Sequence, residues 1–302
     1  MRALVTGADG FAGRHLARHL ADCGDEVAAV DRECNVTIAG QVERVLREYQ
    51  PDAIYHLAAL SHVGDSWNNR IEFVRVNVFG TRNVIECAYK AVPNASILFV
   101  SSADVYGIVR EEDLPIRETH EAMPANPYAQ SKLQAELLAQ SIASANTQRL
   151  VIVRPFNHIG PGQSDKFVVP ALASRLLDAA ERGATEIAVG NLSTRRDFSD
   201  VRDVVRAYRL LMERGHDGEI YNVASGRDVS LTDIANDLLA QIAPDVKLMP
   251  DEELLRPVDV PVMRGSYKKT YEATGWEPSI SLATSLHDVV GELRSRRSSL
   301  SA

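Results

Sequence analysis

The chain has 302 residues, 45% of them hydrophobic, and a formal net charge of -8 from 33 Lys and Arg against 41 Asp and Glu. That length carries one large α/β domain and a smaller one, each with its own core, and the acidic balance with dispersed cations argues against a nucleic-acid partner. Cys23, Cys34 and Cys87 stand too far apart for a metal knuckle or a disulfide framework, and no apolar stretch reaches membrane-spanning length, so the sequence predicts a cytoplasmic protein with reduced thiols, no metal and no membrane.

In chain order, apolar and β-branched runs at Ala3 to Thr6, Glu26 to Val30, Ala53 to Leu57, Ser96 to Ser101 and Leu150 to Arg154 alternate with helical patterns beginning near Gly10, Ile38, Ile71 and Tyr128. This alternation predicts βαβ units and a parallel sheet covered on both faces. Past Arg154, loops through Gly160, Pro161 and Gly162 mark a boundary, and a further helix is expected near Val168 to Arg182. The predicted fold is therefore α/β, a Rossmann-type doubly wound parallel sheet with a smaller mixed α/β substrate domain. Residues 1–155, rejoined by 196–226, form the first, and 156–195 with 227–302 the second.

The first strand runs into Gly7, Gly10 and Gly13, three glycines at a spacing of three that open a helix. Gly7 permits the tight turn, Gly10 lets the backbone approach a pyrophosphate, and Gly13 allows close helix packing, while the helix N-terminus offers free N–H groups and a positive dipole end. Asp31 closes the second strand where it can accept hydrogen bonds from an adenosine ribose, which favours NAD. Arg32 directly after it can instead hold a 2′-phosphate, so NADP stays open.

Tyr128 and Lys132 stand four residues apart and share a helix face. A neighbouring ammonium favours the phenolate, so the pair is expected to pass a proton to or from a carbonyl or carbinol oxygen. The strand ending in Ser101 and Ser102 reaches the carboxyl edge of the sheet, where ligands bind in open α/β folds, and Ser102 is expected to bond the same oxygen.

With these residues in this order, together with His56-Leu57-Ala58-Ala59, Asn77 and the run Ser101 to Gly107, the chain resembles the extended short-chain dehydrogenase/reductase family along nearly its whole length. The resemblance implies that Phe11 and Ala12 of the glycine turn, and Leu57, Ala58 and Ala59 after the third strand, lie along the cofactor. It also implies that the helix carrying Asn77 helps form the cofactor site, and that helices near 71–92 and 128–145 build a homodimer. The stretches Arg154 to Gln163, Arg195 to Asp203 and Leu255 to Pro257 look like the GDP-sugar branch. In that branch Asn157, Phe167, Val168, Arg196, Arg256 and Asp259 would contact the substrate, with Arg196 and Arg256 pairing with its phosphates. Guanidinium forks suit phosphate oxygens, and an acidic protein must gather its cations locally to hold a dianion.

The implied activity is reduction of GDP-4-keto-6-deoxy-D-mannose to GDP-D-rhamnose by reduced NADP or NAD, with Tyr128 as proton donor and Ser102 and Lys132 assisting. A 4,6-dehydratase needs further acid and base groups beside the catalytic hydroxyl; Ala103 carries no proton there, and Asp104 is left to orient a sugar hydroxyl. A dehydratase, a nucleotide-sugar 4-epimerase and a non-catalytic dinucleotide sensor remain the alternatives.

Overall fold

The computed structural model describes residues 1–254 and 258–300. Strands β1 (Arg2–Thr6), β2 (Glu26–Val30), β3 (Ala53–His56), β4 (Ser96–Val100) and β5 (Leu150–Pro155) appear in that order, with helices α1 (Phe11–Asp22), α2 (Ala39–Tyr49), α3 (Val63–Ser66), α4 (Arg70–Phe73), α5 (Gly80–Ala91) and α6 (Pro127–Asn146) between them. A π-helical turn over Val74–Phe79 joins α4 to α5, so the single helix expected from Ile71 is one rod with a local widening. The second half holds β6 (Asn157–Ile159), α7 (Val168–Arg182), β7 (Glu186–Val189), β8 (Arg195–Asp200), α8 (Val201–Arg214) and β9 (Ile220–Val223). It ends with β10 (Asp228–Ser230), α9 (Leu231–Ile242), β11 (Lys247–Pro250), β12 (Val262–Met263), α10 (Lys268–Thr274) and α11 (Leu282–Leu300).

Six strands form one parallel sheet in the order β2-β1-β3-β4-β5-β9. Alternation along each strand divides its side chains between two cores. Leu4, Ile54, Ile97, Phe99 and Ile152 pack under α2, α5 and α6. Val5, Tyr55, Leu98, Val151 and Val153 pack under α1 and α8. Because both faces are covered, the strands read as nearly unbroken apolar runs. After β2 the chain crosses to the other side of β1 to form β3, so the crevice at the carboxyl ends of β1 and β3 is the topological switch point.

A third core joins α7, α9 and α11 through Leu172, Leu176, Ile234, Leu238 and Val289. It sits beside a sheet ordered β10-β8-β12, with β6 also on β8, and a β7-β11 pair. Two expectations about the division change. The return to the large sheet was expected at residue 196, but β8 pairs within the small sheet, and only α8 rejoins the large layer. Arg195, Arg196 and Asp197 could not replace the apolar residues that a doubly covered strand requires. The segment after 227 also returns, for Trp276 is fully buried against the α8 side of the large sheet and donates its indole N–H to the Asp203 carbonyl at 2.9 Å. Among the described residues no helix is long and apolar enough to cross a membrane.

Candidate active site

A cleft of about 770 Å³ crosses the carboxyl edge of the large sheet and continues under the small one. At one end is the turn from β1 into α1. Gly7 has φ of 71°, and a methyl built there would stand 2.7 Å from the Ala58 amide nitrogen; at Gly13 it would stand 2.1 Å from the Gly7 carbonyl oxygen. Only glycine allows strand, lip and helix to meet this closely. Gly10 caps α1 with no side-chain hydrogen bond and no acidic residue in the first turn. Phe11, Ala12 and Gly13 therefore bring unpartnered helix N–H groups to the cleft wall they line.

Asp31 and Arg32 form the rim beyond this turn. Asp31 accepts the Asp9 amide N–H on Oδ2 at 3.1 Å, which helps fix the carboxylate. Leu57, Ala58 and Ala59 form the opposite lip. Asn77, expected at the cofactor, is not on the wall but one layer behind it. It is buried, bonds both ways with the Leu60 backbone at 2.8 and 3.0 Å, and donates to Ser131 Oγ at 2.9 Å. Its amide has the paired donor and acceptor needed to clip this loop to α6.

His56 lies beneath the lip, between Thr6 Oγ1 at 2.8 Å and Thr81 Oγ1 at 3.0 Å. Thr81 spends its proton on the Asn77 carbonyl, so it accepts from Nε2–H and Nδ1 accepts from Thr6. Burial, and then the Lys132 charge, pull this imidazole down to about 3.

The proton-transfer candidates come from β4 and α6. Ser102 caps the short turn Ala103–Tyr106 by accepting the Asp104 amide N–H at 3.2 Å. Asn126 caps α6 by accepting from the Ala129 amide at 2.8 Å, and Pro127 starts the helix with its φ already set. Tyr128 thus sits in the first turn and Lys132 one turn on, and both line the cleft with Ser102 and Asp104. Burial and the Asp104 charge push the Tyr128 phenol above its usual range, against a hydrogen bond with Ser102. The expected depression of the phenol by Lys132 is not found. The lysine is itself buried, its Nζ 4.7 Å from the centre of the Phe99 ring, and burial draws it down to about 7.

Asn157, Phe167, Val168, Arg196 and Asp259 line the other half of the cleft. Arg196 faces Asp259 at 3.4 Å, and Asn191 holds the second oxygen of that carboxylate at 2.9 Å. Arg256 lies outside the described residues. Arg195 pairs with Asp228, and Arg202 with Asp200 and Asp288. His62 meets Phe167 edge-on across the mouth. Sequence reasoning missed Phe198, Met263 and Tyr208, which also line the cleft, because each reads as an ordinary core residue. Tyr208 is fully buried on α8, and its hydroxyl and that of Ser101 have no partner among the described residues. Two orphan hydroxyls beside a glycine cradle fit a polar ligand that extends from the turn toward Tyr128, as a dinucleotide would.

The sequence profile of the NAD dependent epimerase/dehydratase family matches residues 3–224. The chain belongs to this family. Members with curated functions include GDP-6-deoxy-D-mannose reductase of Pseudomonas aeruginosa, 35% identical over 98% of both chains. GDP-6-deoxy-D-talose 4-dehydrogenase of Aggregatibacter actinomycetemcomitans is 32% identical over 91% of this chain and 92% of that one. Among solved structures, RMD from Pseudomonas aeruginosa complexed with NADPH superposes with a TM-score of 0.90 at 33% identity, covering 98% of this chain and 99% of that one. The UDP-glucose 4-epimerase of Thermotoga maritima with UDP-glucose gives 0.88 at 27% identity over 98% and 100%. Family membership makes this chain a nicotinamide-dinucleotide protein on an α/β fold.

Proposed function

We propose that this protein reduces the 4-keto group of GDP-4-keto-6-deoxy-D-mannose to give GDP-D-rhamnose. The observation that carries the reading is end-to-end similarity to a GDP-6-deoxy-D-mannose reductase in a chain whose cleft joins the glycine turn to Tyr128, Lys132 and Ser102. Gly7, Gly10 and Gly13, with the amides of Phe11, Ala12 and Gly13, would hold the pyrophosphate, Asp31 or Arg32 the adenosine ribose, and Leu57, Ala58 and Ala59 the flank. Bound reduced nicotinamide supplies the hydride that the carbonyl carbon takes up. Tyr128 gives its proton to the carbonyl oxygen, for which its raised phenol is in the required protonation state. Ser102 orients the same oxygen, and the Lys132 ammonium stabilises the phenolate left behind.

Ala103 follows Ser102 and is buried. With no second proton-carrying group at that position, reduction is supported over dehydration, and Asp104 is assigned to a sugar hydroxyl. Asn157, Phe167, Val168, Arg196 and Asp259 are assigned to the GDP-sugar. The chain is proposed to work in the cytoplasm as a homodimer, pairing through the rod around 71–92 and α6. These helices expose Ile71 and Phe79 on one and Leu137 on the other.

The test is to generate the 4-keto-6-deoxy sugar from GDP-mannose with a separate dehydratase and follow nicotinamide absorbance after adding this protein. Oxidation of NADH or NADPH with formation of GDP-rhamnose is expected. No oxidation refutes the reading, and 6-deoxytalose as product places delivery on the other face of C4. Tyr128→Phe should lower turnover by roughly 10²–10⁴-fold while dinucleotide affinity stays within about twofold.

A further inference from the structure

The helix that carries Tyr128 and Lys132 carries a third ionisable residue on the same face. Glu136 lies one turn beyond Lys132 and is 1% exposed, and its carboxylate receives two hydrogen bonds from Arg154 on β5, from Nε at 3.1 Å and from Nη2 at 2.5 Å. Arg154 is also buried, and its guanidinium lies over the Tyr106 ring at 4.8 Å from the centre. Tyr106 ends the turn that Ser102 opens, and its hydroxyl donates to Asn222 Oδ1 at 2.7 Å. One guanidinium thus touches both the helix of the proton donor and the turn that begins at Ser102.

A buried ion pair is a weak source of stability, since desolvation offsets most of the Coulomb gain. It is a strong source of local field, because little water screens it. The groups facing Lys132 are few. His56 on β3 is neutral, the Phe99 ring on β4 lies under the ammonium, Tyr128 and then Asp104 lie toward the cleft, and Glu136 with Arg154 lies on the far side.

We propose that Glu136, held in place by Arg154, is a positioning residue that keeps the Lys132 side chain charged one helical turn from Tyr128. Burial alone drives the ammonium toward its neutral form, and the Glu136 carboxylate is the group that opposes it. The pair also fixes the approach of α6 to the Ser102 turn, so charge and distance are set by the same two side chains. The inference rests on the proposed proton-transfer role of Tyr128 and Lys132 only for its consequence in catalysis; the charge coupling itself needs no substrate.

The coupling is read by titrating the Lys132 Cε resonance in the full-length protein, free of dinucleotide, with Lys132→Met supplying the assignment. In Glu136→Gln the midpoint should fall by about one pH unit, and in Glu136→Asp it should stay near the wild-type value. Where turnover is measured, the alkaline limb of kcat/KM should move down by the same amount. The double variant Glu136→Gln/Arg154→Met removes both buried charges, which proteins tolerate better than losing one. It covers the case in which the single variant does not fold, and its midpoint should fall too, though by less, since the arginine cation that opposes the ammonium is lost with the carboxylate. An unchanged lysine midpoint in the folded variant overturns the proposal, as does a loss of activity that is flat across pH and is not restored by Glu136→Asp.

Discussion

Gly10 and Gly13 lie three residues apart in one turn, yet alanine at each should fail in a different way. A methyl at Gly13 would stand 2.1 Å from the Gly7 carbonyl oxygen, 2.8 Å from Ala8 Cα and 2.9 Å from Ala8 O, all of them backbone. The turn must open or α1 must lift. Overpacking of this kind costs about 1–3 kcal/mol, against which alanine returns about 1 kcal/mol of helix propensity. Gly10 is different, because its φ of -66° and ψ of 166° suit alanine and its new methyl would meet only the Gly7 carbonyl, at 3.0 Å. Gly10→Ala should therefore keep its Tm within a few degrees while the methyl stands where a phosphate oxygen approaches. Dinucleotide affinity should weaken by roughly 10–100-fold, equivalent to about 1.4–2.7 kcal/mol. Thermal unfolding without ligand and NADH fluorescence titration separate the two variants. If Gly10→Ala binds the dinucleotide as tightly as wild type, the pyrophosphate does not lie on this turn, and the assignment of Phe11, Ala12 and Gly13 goes with it.

Asp31→Ala should weaken NADH by about tenfold and shift preference toward NADPH, because the ribose diol loses its acceptor and Arg32 remains; equal loss for both cofactors would place the carboxylate away from the 2′ position. Lys132→Met should abolish most turnover yet raise the Tm of the dinucleotide-free protein at neutral pH. The folded lysine is depressed to about 7, so the unfolded chain binds the extra proton between there and about 10.5; its contribution to stability rises with pH across that window and falls as pH drops through it. A lower Tm for the methionine variant would refute this. For His56, depressed to about 3, the unfolded chain takes up the proton first below about 6.5, and stability is lost from there down to about 3, on the order of 5 kcal/mol in all. Urea midpoints measured against pH should show a shallower acid slope in His56→Gln, and an unchanged slope would assign acid sensitivity elsewhere.

The parts of the site that the sequence made legible are those whose chemistry lies within a few adjacent residues. The turn Gly7 to Gly13 and the pair Tyr128 and Lys132 each state a backbone or helical geometry by spacing alone, and the large parallel sheet follows from apolar runs that a doubly covered strand must have. What stayed hidden depends on neighbours distant in sequence. Asn77 was expected at the cofactor through the family resemblance, and its contacts with Leu60 and Ser131 place it one layer behind the cleft wall. Tyr208 sits on the apolar face of α8 and reads as core, and only its unpartnered hydroxyl distinguishes it. The pairing of β8 with β6, β10 and β12 depends in the same way on partners distant in sequence.

The same distinction bears on which cations of an acidic chain the proposed GDP-sugar would meet. Arg195 and Arg202 are committed to Asp228, Asp200 and Asp288 at 2.5–2.7 Å, distances typical of charge-assisted hydrogen bonds. Arg196 faces Asp259 at the longer distance of 3.4 Å, across the cleft wall. Arg196 also donates to the Arg195 carbonyl at 2.9 Å, so a diphosphate entering there, as proposed, would loosen the long ion pair, whereas recruiting Arg202 would leave the buried Asp200 carboxylate without its cation. Charge alone does not select the phosphate ligand among these arginines. On the proposed reading, Arg196 is the arginine whose removal should weaken GDP-sugar binding, because it lines the cleft and its ion pair with Asp259 is longer than those of Arg195 and Arg202.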